Sequence, residues 1–408
     1  MIMPERARLI ALLALAGLAF APVAGAEEKP IRIGVMNDMS GPYADFQGPG
    51  SVVAAQMAVE DYGGKAAGRK VEVVSADHQN KTDVGAAIAR QWIDQDGVDM
   101  IADVPNSAVA LAVNQIVKDK NKVFIASGAG TAELTGAQCT PNTVAWTYDT
   151  WELGHALGRA IVGQGKKTWF FIAADYAFGH DLQKQASEAV LADGGKVLGT
   201  VDAPLGTTDF SSFLLQAQAT HPEVLALANA GGDLTNAVKQ AAEFGLTGKT
   251  SLAAFVLTIQ NIPALTLQAA QGMLTVNAWY WDLNDATRAW SRRYQQRFAK
   301  HQMPNDMQAG VYSSVLAYLK AVDKVGGSAD GKAVVAAMKA TPAVDPVYGT
   351  VTIRQDGRAM HPVYLLQAKA PGESKEAWDD FKVVSTIPAE RAFRPLADGK
   401  CPFVAASR

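Results

Sequence analysis

A short stretch between Phe124 and Gly136, FIASGAGTAELTG, begins as an apolar strand and continues with small, hydrogen-bonding residues. Gly128 and Gly130 match the first two positions of the dinucleotide fingerprint G-x-G-x-x-G, but the third position is Glu133. A carboxylate there would repel a pyrophosphate, so the stretch does not predict a nucleotide site. Its bare backbone N–H groups and its hydroxyls indicate a different ligand.

A second polar turn, Asn106-Ser107, follows the preceding apolar run of the chain. Ser107 and Thr131 each stand where a helix is predicted to begin, so helix capping alone explains their hydroxyls. Capping does not explain the glycines beside Ser127, which let a ligand approach backbone N–H groups closely. Because helix N-termini favour anions, the two turns together predict a site for one small carboxylate.

The motifs for catalysis and for metal binding are weak, so we expect no enzymatic activity, no cofactor and no metal. The segment from Gly326 to Lys332 has the spacing of a P-loop, but Ala333 stands where a hydroxyl must bind Mg²⁺. No G-x-S-x-G motif occurs. Two groups of neighbouring His and Asp residues are more typical of surface or capping positions than of metal ligands: Asp77-His78 and Gly179-His180-Asp181.

The elements that position these turns alternate between short apolar strands and amphipathic helices, which predicts α/β lobes with parallel, doubly wound sheets. The predicted strands are Ile31–Met36, Val71–Val74, Met100–Val104, Val123–Ala126, Thr168–Ala173, Val197–Val201, Val224–Ala228, Leu252–Val256, Thr350–Arg354, Val363–Ala368 and Phe381–Val384. The predicted helices are Gly50–Tyr62, Val84–Ile93, Ala108–Val117, Asp181–Leu191, Phe210–Gln218, Thr235–Phe244, Ile259–Ala269, Thr287–Lys300, Met307–Val325 and Lys332–Lys339.

The 408-residue chain is long enough for two domains, and its net charge of −3 without basic runs argues against a nucleic-acid partner. Arg6 and Arg8, followed by the apolar run Leu9–Phe20 and the small residues Ala24-Gly25-Ala26, indicate a secretory signal peptide over residues 1–26. No later apolar run is long enough to span a bilayer. We therefore expect an exported protein.

The sequence contains two cysteines, Cys139 and Cys401. In an exported protein an even pair indicates a disulfide, which would tie the C-terminus to the loop after the glycine-rich turn. Two separate buried thiols are the alternative. The spacing does not support a zinc site.

Three stretches together are similar to a known family. Met39–Gly50 resembles the loop after the first strand, Ser127–Gly136 resembles a ligand-binding turn, and Ala173–Leu182 with Thr207–Gln216 resembles second-lobe segments of the periplasmic solute-binding proteins of ABC importers. Specifically, the chain resembles the leucine/isoleucine/valine-binding type. The similarity follows the family order through nearly the whole mature chain, and it extends to the branch that binds aromatic acids.

This resemblance implies two Rossmann-like lobes that close on a ligand about a hinge of three crossovers, near Ala145–Thr150, Asn277–Asp282 and Tyr348–Thr352. Lobe 1 would contain residues 27–146 and 280–349, and lobe 2 would contain residues 147–279 and 350–387. Residues 388–408 would form a tail that returns to lobe 1. The implied partners are a small-molecule ligand and the membrane permease subunits of an ABC transporter, and the protein itself is expected to be a monomer.

The resemblance also implies a set of ligand-binding residues. In lobe 1 these are Tyr43, Phe46, Asn106, Ser107, Ser127, Gly128, Gly130 and Thr131, and in lobe 2 they are Tyr176, Phe178, Asn229, Asp233 and Phe255. Amino-acid binders of this type carry an acid after the next strand to hold the ammonium group, but Ala253–Asn261 contains none. Unless Asp233 replaces that acid, a bound zwitterion would bury an unpaired charge.

The missing acid favours an aromatic carboxylate as the ligand. A branched-chain amino acid or an amide bound by the same fold is the alternative. A further alternative is a ligand sensor that reports to a membrane receptor.

Overall fold

The computed structural model describes residues 29–404, so the predicted signal peptide over residues 1–26 lies outside the described residues. Its strands form two large sheets and one small sheet. The first sheet contains β1 (Ile31–Asn37), β2 (Lys65–Ala66), β3 (Arg69–Asp77), β4 (Val98–Asp103), β5 (Val123–Ala126) and β6 (Thr143–Ala145). The second contains β7 (Thr168–Ala174), β8 (Lys196–Ala203), β9 (Val224–Ala230), β10 (Ser251–Val256) and β11 (Leu274–Asn277). A small sheet follows, made of β12 (Ala343–Asp345), β13 (Gly349–Ile353) and β14 (Ala359–Met360), before β15 (Val363–Ala368) and β16 (Phe381–Ile387) complete the second sheet.

Helices cover both faces of the large sheets. In the first half of the chain they are α1 (Gly48–Asp61), α2 (Thr82–Asp94), α3 (Ser107–Asp119), α4 (Thr150–Gly163), α5 (Ala177–Ala192), α6 (Ser211–Ala219) and α7 (Gly231–Glu243). In the second half they are α8 (Ile262–Leu265), α9 (Leu267–Ala270), α10 (Asp285–Arg297), α11 (Asp306–Val325), α12 (Gly331–Lys339) and α13 (Ala389–Ala392). None of the helices in the described part of the chain has the length and apolar character needed to cross a membrane.

The two large sheets confirm the predicted α/β fold. The first has the order β2-β3-β1-β4-β5-β6, and all its pairs are parallel except β2 with β3. The second has the order β16-β15-β11-β10-β9-β7-β8, with parallel pairing from β11 to β8 and an antiparallel edge at β15 and β16. Each sheet forms the centre of one lobe, so the carboxyl ends of parallel strands offer a binding edge in both.

The predicted and observed elements differ in several places, and short strands such as β6 and β11 were not predicted. The single helix expected over Ile259–Ala269 is divided into α8 and α9, because Thr266 between them has a φ of 68°. Helix α4 was not predicted, although Asp149 caps it by accepting a hydrogen bond from the backbone of Glu152 at 2.9 Å.

The chain passes between the two large sheets at three places. It passes from the first sheet to the second after β6. After β11 it returns to the first lobe, where α11 packs on α1, and it rejoins the second sheet at β15. β13 pairs with β12 and β14 in the small sheet and not with the second sheet. The residue bounds of the two lobes given above stay a prediction.

Candidate functional site

The glycine-rich turn follows β5, and Asp103 at the end of β4 holds it from behind. Ser127 donates its hydroxyl to Asp103 Oδ1 at 3.2 Å, and the Gly128 N–H donates to the Asp103 carbonyl at 3.4 Å. The Tyr148 hydroxyl donates to the Gly128 carbonyl at 2.8 Å. The turn is therefore fixed both by its own sheet and by the first connection between the lobes.

The polar turn at Asn106 lies next to the glycine-rich turn, as the sequence suggested. Asn106 is the cap of α3, because its Oδ1 accepts from the backbone N–H groups of Ala108 and Val109 at 3.0 and 3.2 Å. Ser107, for which capping was one explanation, is instead the first helical residue, and its hydroxyl accepts from the Thr131 N–H at 3.2 Å. This bond joins the two turns directly.

Thr131 fulfils the capping alternative and also contacts the second lobe. Its hydroxyl accepts from the Glu133 N–H at 3.3 Å at the start of a short 3-10 helix. The same hydroxyl donates to Asp181 Oδ2 at 3.1 Å, and that oxygen also accepts from the Ala132 N–H at 3.0 Å and the Thr150 hydroxyl at 2.6 Å. Asp181, which α5 contributes from the second lobe, was missed as a site residue.

Aromatic side chains from both lobes pack together, and one of them, Phe178, reaches the glycine-rich turn. The hydroxyl oxygens of Tyr43 and Tyr176 lie 2.6 Å apart, and Tyr43 packs edge to face on Phe46 with a centroid distance of 5.2 Å. A Cβ atom at Gly130 would lie 2.7 Å from the ring of Phe178. A glycine is therefore required there for the lobes to approach in this arrangement.

A backbone hydrogen bond also connects the lobes. The Gly232 N–H, at the start of α7, donates to the Pro42 carbonyl at 3.0 Å. Gly231 has a φ of 59°, and a Cβ atom there would lie 2.3 Å from the same carbonyl oxygen. These contacts place the structure in an arrangement with the lobes closed on each other.

The remaining second-lobe residues of the predicted set are buried near this contact. Asn229 is 1% exposed, and both its side-chain polar atoms lack a hydrogen-bond partner among the described residues. Asp233 accepts from the Gly206 N–H at 2.9 Å, and burial raises the pKa of its carboxyl to about 6. Phe255 is fully buried, in the same hydrophobic cluster as Tyr43 and Phe178.

Two polar residues behind the turn were also missed by the sequence reasoning. Gln47 is fully buried, its side-chain atoms lack a partner in the described chain, and its Nε2 lies 2.4 Å from the position a Gly128 Cβ would take. Asp103 is fully buried with a φ of 79°, and burial raises its pKa to about 7. The sequence carried a signal for Asp103, because it is a charged residue within the otherwise apolar run Met100–Val104.

The predicted disulfide is present between Cys139 and Cys401, whose Cα atoms are 5.5 Å apart. The C-terminal segment is held to the same region by Arg394, which donates from Nη2 to the Ala132 carbonyl at 2.8 Å. The tail thus packs directly behind the glycine-rich turn.

Comparisons with known proteins agree with this architecture. The sequence profile of the family described as periplasmic binding protein matches residues 30–375. A crystal structure of a periplasmic binding protein from Burkholderia mallei is 48% identical, with a TM-score of 0.89, over 92% of this chain and 99% of that chain. A branched-chain amino acid ABC transporter periplasmic ligand-binding protein from Burkholderia xenovorans is 39% identical, with a TM-score of 0.80, over 91% of this chain and 99% of that chain.

A curated relative agrees at lower identity. The Leu/Ile/Val-binding protein homolog 6 of Brucella melitensis is 27% identical over 359 residues, which are 86% of this chain and 90% of that protein. With two doubly wound lobes, closed on a glycine-rich turn, and a family match over most of its length, the chain belongs to the periplasmic binding protein family.

Proposed function

We propose that the protein is the extracytoplasmic substrate-binding component of an ABC uptake transporter and that it binds a small carboxylate, preferably an aromatic acid. The observation that carries this proposal is the convergence of the two hydroxyl-bearing turns of lobe 1 with the aromatic side chains of lobe 2. A ligand between them stabilises the closed arrangement, which membrane permease subunits then recognise. The protein acts in the periplasm, after cleavage of the signal peptide near Ala26.

The first lobe supplies donors for a carboxylate. The Ser107 hydroxyl accepts from the Thr131 N–H and keeps its own proton for donation to a ligand. Ser107 is also the first residue of α3, where the helix dipole favours negative charge. The glycines at 128 and 130 leave the backbone open to a close approach.

The aromatic side chains favour a flat apolar body on that carboxylate. Tyr43, Phe46 and Phe178 are buried, and Tyr176 contacts Tyr43 from the opposite lobe. A planar ring that enters between these side chains packs on them in offset or edge-to-face geometry. Its contacts replace those that the aromatic side chains make with one another in the closed arrangement. The segment Ala253–Asn261 supplies no acid for an ammonium group.

A branched-chain amino acid is the second candidate, and Asp233 is the observation in its favour. Asp233 lies in the first turn of α7, directly after Gly232, whose N–H donates to the Pro42 carbonyl of the first lobe, so this carboxyl lies near the contact between the lobes. Its Oδ2 already accepts from the Gly206 N–H at 2.9 Å, however, so part of its accepting capacity is used within the second lobe. The relative from Burkholderia xenovorans carries a branched-chain amino acid name, which adds weight to this candidate.

A thermal-shift screen distinguishes the two candidates. Benzoate and phenylpropenoate are compared with leucine, isoleucine and valine. A ligand at 100 times its Kd stabilises the folded protein by about 2.7 kcal/mol, which gives a measurable rise in Tm. We expect the aromatic acids to raise Tm. A rise with the amino acids alone would overturn the preference for aromatic acids and make Asp233 the candidate ammonium partner.

Ser107→Ala tests the position of the carboxylate. Loss of a hydrogen bond to a charged group weakens binding of the selected acid by about 1.5–3 kcal/mol in isothermal titration calorimetry. The control is Ser212→Ala on the exposed face of α6, which leaves the affinity unchanged. Equal affinity of both variants would contradict the proposed role of Ser107.

A further inference from the structure

Three side chains with metal-binding chemistry meet on the surface of the second lobe. Asp175 follows β7, His180 lies in the first turns of α5, and Asp202 belongs to β8. One ligand atom from each lies within 4.8 Å of the others. The Asp175 N–H donates to the Ala203 carbonyl at 2.8 Å, so backbone pairing fixes the two strand ends that carry the carboxylates.

The separations between these atoms fit a single ion. His180 Nε2 lies 3.1 Å from Asp175 Oδ1 and 3.9 Å from Asp202 Oδ2. Ligands at about 2.0–2.2 Å from a tetrahedral metal are themselves about 3.4 Å apart. Small side-chain rotations bring all three onto such an ion, and each side chain is about half exposed, which leaves room for water as a further ligand.

The donor types also restrict the kind of ion. Ca²⁺ and Mg²⁺ take oxygen ligands, whereas an imidazole nitrogen suits zinc and related transition metals. Both carboxylates face the same imidazole nitrogen, Nε2, and that single nitrogen lies within hydrogen-bond distance of Asp175 only. A dication binds all three groups and neutralises both carboxylates.

We propose that Asp175, His180 and Asp202 form a binding site for a divalent transition-metal ion of the zinc class. The sequence suggested only a capping or surface role for His180, because Asp202 reaches it from another strand. Tyr176, which contacts Tyr43 across the lobes, lies in the same turn. A bound ion therefore orders the turn that presents Tyr176 to the first lobe.

Calorimetric titration of the tag-free full chain with ZnCl₂ in a non-coordinating buffer tests the proposal. We expect one ion per chain. His180→Ala and Asp202→Asn should each lower the affinity for Zn²⁺ by at least about tenfold, because each removes a metal ligand and the loss of even a group that supports a ligand costs about that much. The control His221→Asn removes another exposed histidine, at a positive φ that Asn tolerates, and keeps wild-type affinity. CaCl₂ gives no binding heat.

A second measurement keeps the test independent of calorimetric heats. Zn²⁺ raises the Tm of the wild type and of His221→Asn but not of His180→Ala, since an ion that binds only the folded state stabilises it. Circular dichroism confirms that the variants are folded. Absence of Zn²⁺ binding to the wild type, or equal binding by His180→Ala, would overturn the proposal. Neither result tests whether the protein binds an organic carboxylate, so the two proposals can fail independently.

Discussion

At the scale of single residues, Asp103 is the most unusual group near the candidate site. It is fully buried, and it accepts from Asn37 Nδ2 at 2.5 Å and from the Ser127 hydroxyl. Together with the bond from the Gly128 N–H to its carbonyl, these contacts make it the support of the glycine-rich turn. Its positive φ and that of Val104 are the kind of backbone strain that structures retain at functional sites.

The raised pKa of Asp103 predicts a specific pH dependence of stability. An unfolded carboxyl loses its proton near pH 4, whereas burial keeps the proton on the folded carboxyl until about pH 7. Folding therefore takes up a proton in this window, and stability falls as the pH rises from about 4 to 7. Relative to Asp103→Asn, the wild type loses up to about 1.4 kcal/mol of unfolding free energy per pH unit.

Urea denaturation of both proteins across this pH range measures the difference. Asp233 and Asp306, whose pKa values burial also raises to about 6, are present in both proteins, so their contributions cancel. Parallel stability curves for the wild type and the variant would contradict the prediction.

At the scale of elements, the connections between the sheets are tied to one another and to the C-terminal tail. Arg358 is fully buried between β13 and β14, and it donates to the carbonyls of Thr147 and Tyr148 at 2.9 and 3.2 Å. This cation links the first and third connections between the sheets. The disulfide and Arg394 then fix the tail behind the glycine-rich turn.

The disulfide closes a very long loop, so its loss is expected to be costly. Cys139 and Cys401 are separated by 262 residues, for which loop-closure entropy gives up to about 5 kcal/mol of stability. The double variant Cys139→Ser/Cys401→Ser avoids a free thiol and should melt well below the wild type in calorimetry. Reductant should lower the Tm of the wild type and leave that of the double variant unchanged. Equal melting of both proteins without reductant would contradict the prediction.

At the scale of the whole molecule, the structure has its lobes in contact through side chains and backbone. The Tyr43–Tyr176 contact, the Thr131–Asp181 hydrogen bond and the Gly232–Pro42 hydrogen bond all cross between the lobes. An unligated protein of this family that opens and closes must break these contacts each time. Compaction on ligand binding is therefore the expected large-scale motion.

Gly130→Ala is expected to prevent full closure. The added Cβ would lie 2.7 Å from Phe178 of the second lobe and 2.9 Å from Tyr148. Small-angle scattering with the acid selected by the thermal screen should show compaction of the wild type and a smaller or absent compaction of the variant. The control Gly163→Ala, where a Cβ meets no atom within 4 Å, should compact like the wild type. Full compaction of Gly130→Ala would contradict the role assigned to this glycine.

The sequence by itself determined the fold class, because burial imposes a local period that can be read along the chain. Short apolar strands such as Val123–Ala126 and Val363–Ala368 were located at their observed bounds. Helix α4 was not predicted, although the sequence carries its signals: Asp149 and Glu152 are spaced as in a capping box, and Leu153 and Leu157 share one face. The three-residue strand β6 could not be predicted, because a segment so short shows no periodicity of its own.

Only the tertiary structure decided which polar groups meet. Ser107 and Asn106 are neighbours in sequence, yet the geometry of the helix start made Asn106 the cap and turned Ser107 towards Thr131. Asp181 reaches the first lobe, and Asp202 reaches His180, through sheet pairing and lobe contact that no local pattern encodes. The physical reason is that local sequence fixes periodicity and capping, whereas contacts between distant residues depend on how whole elements pack.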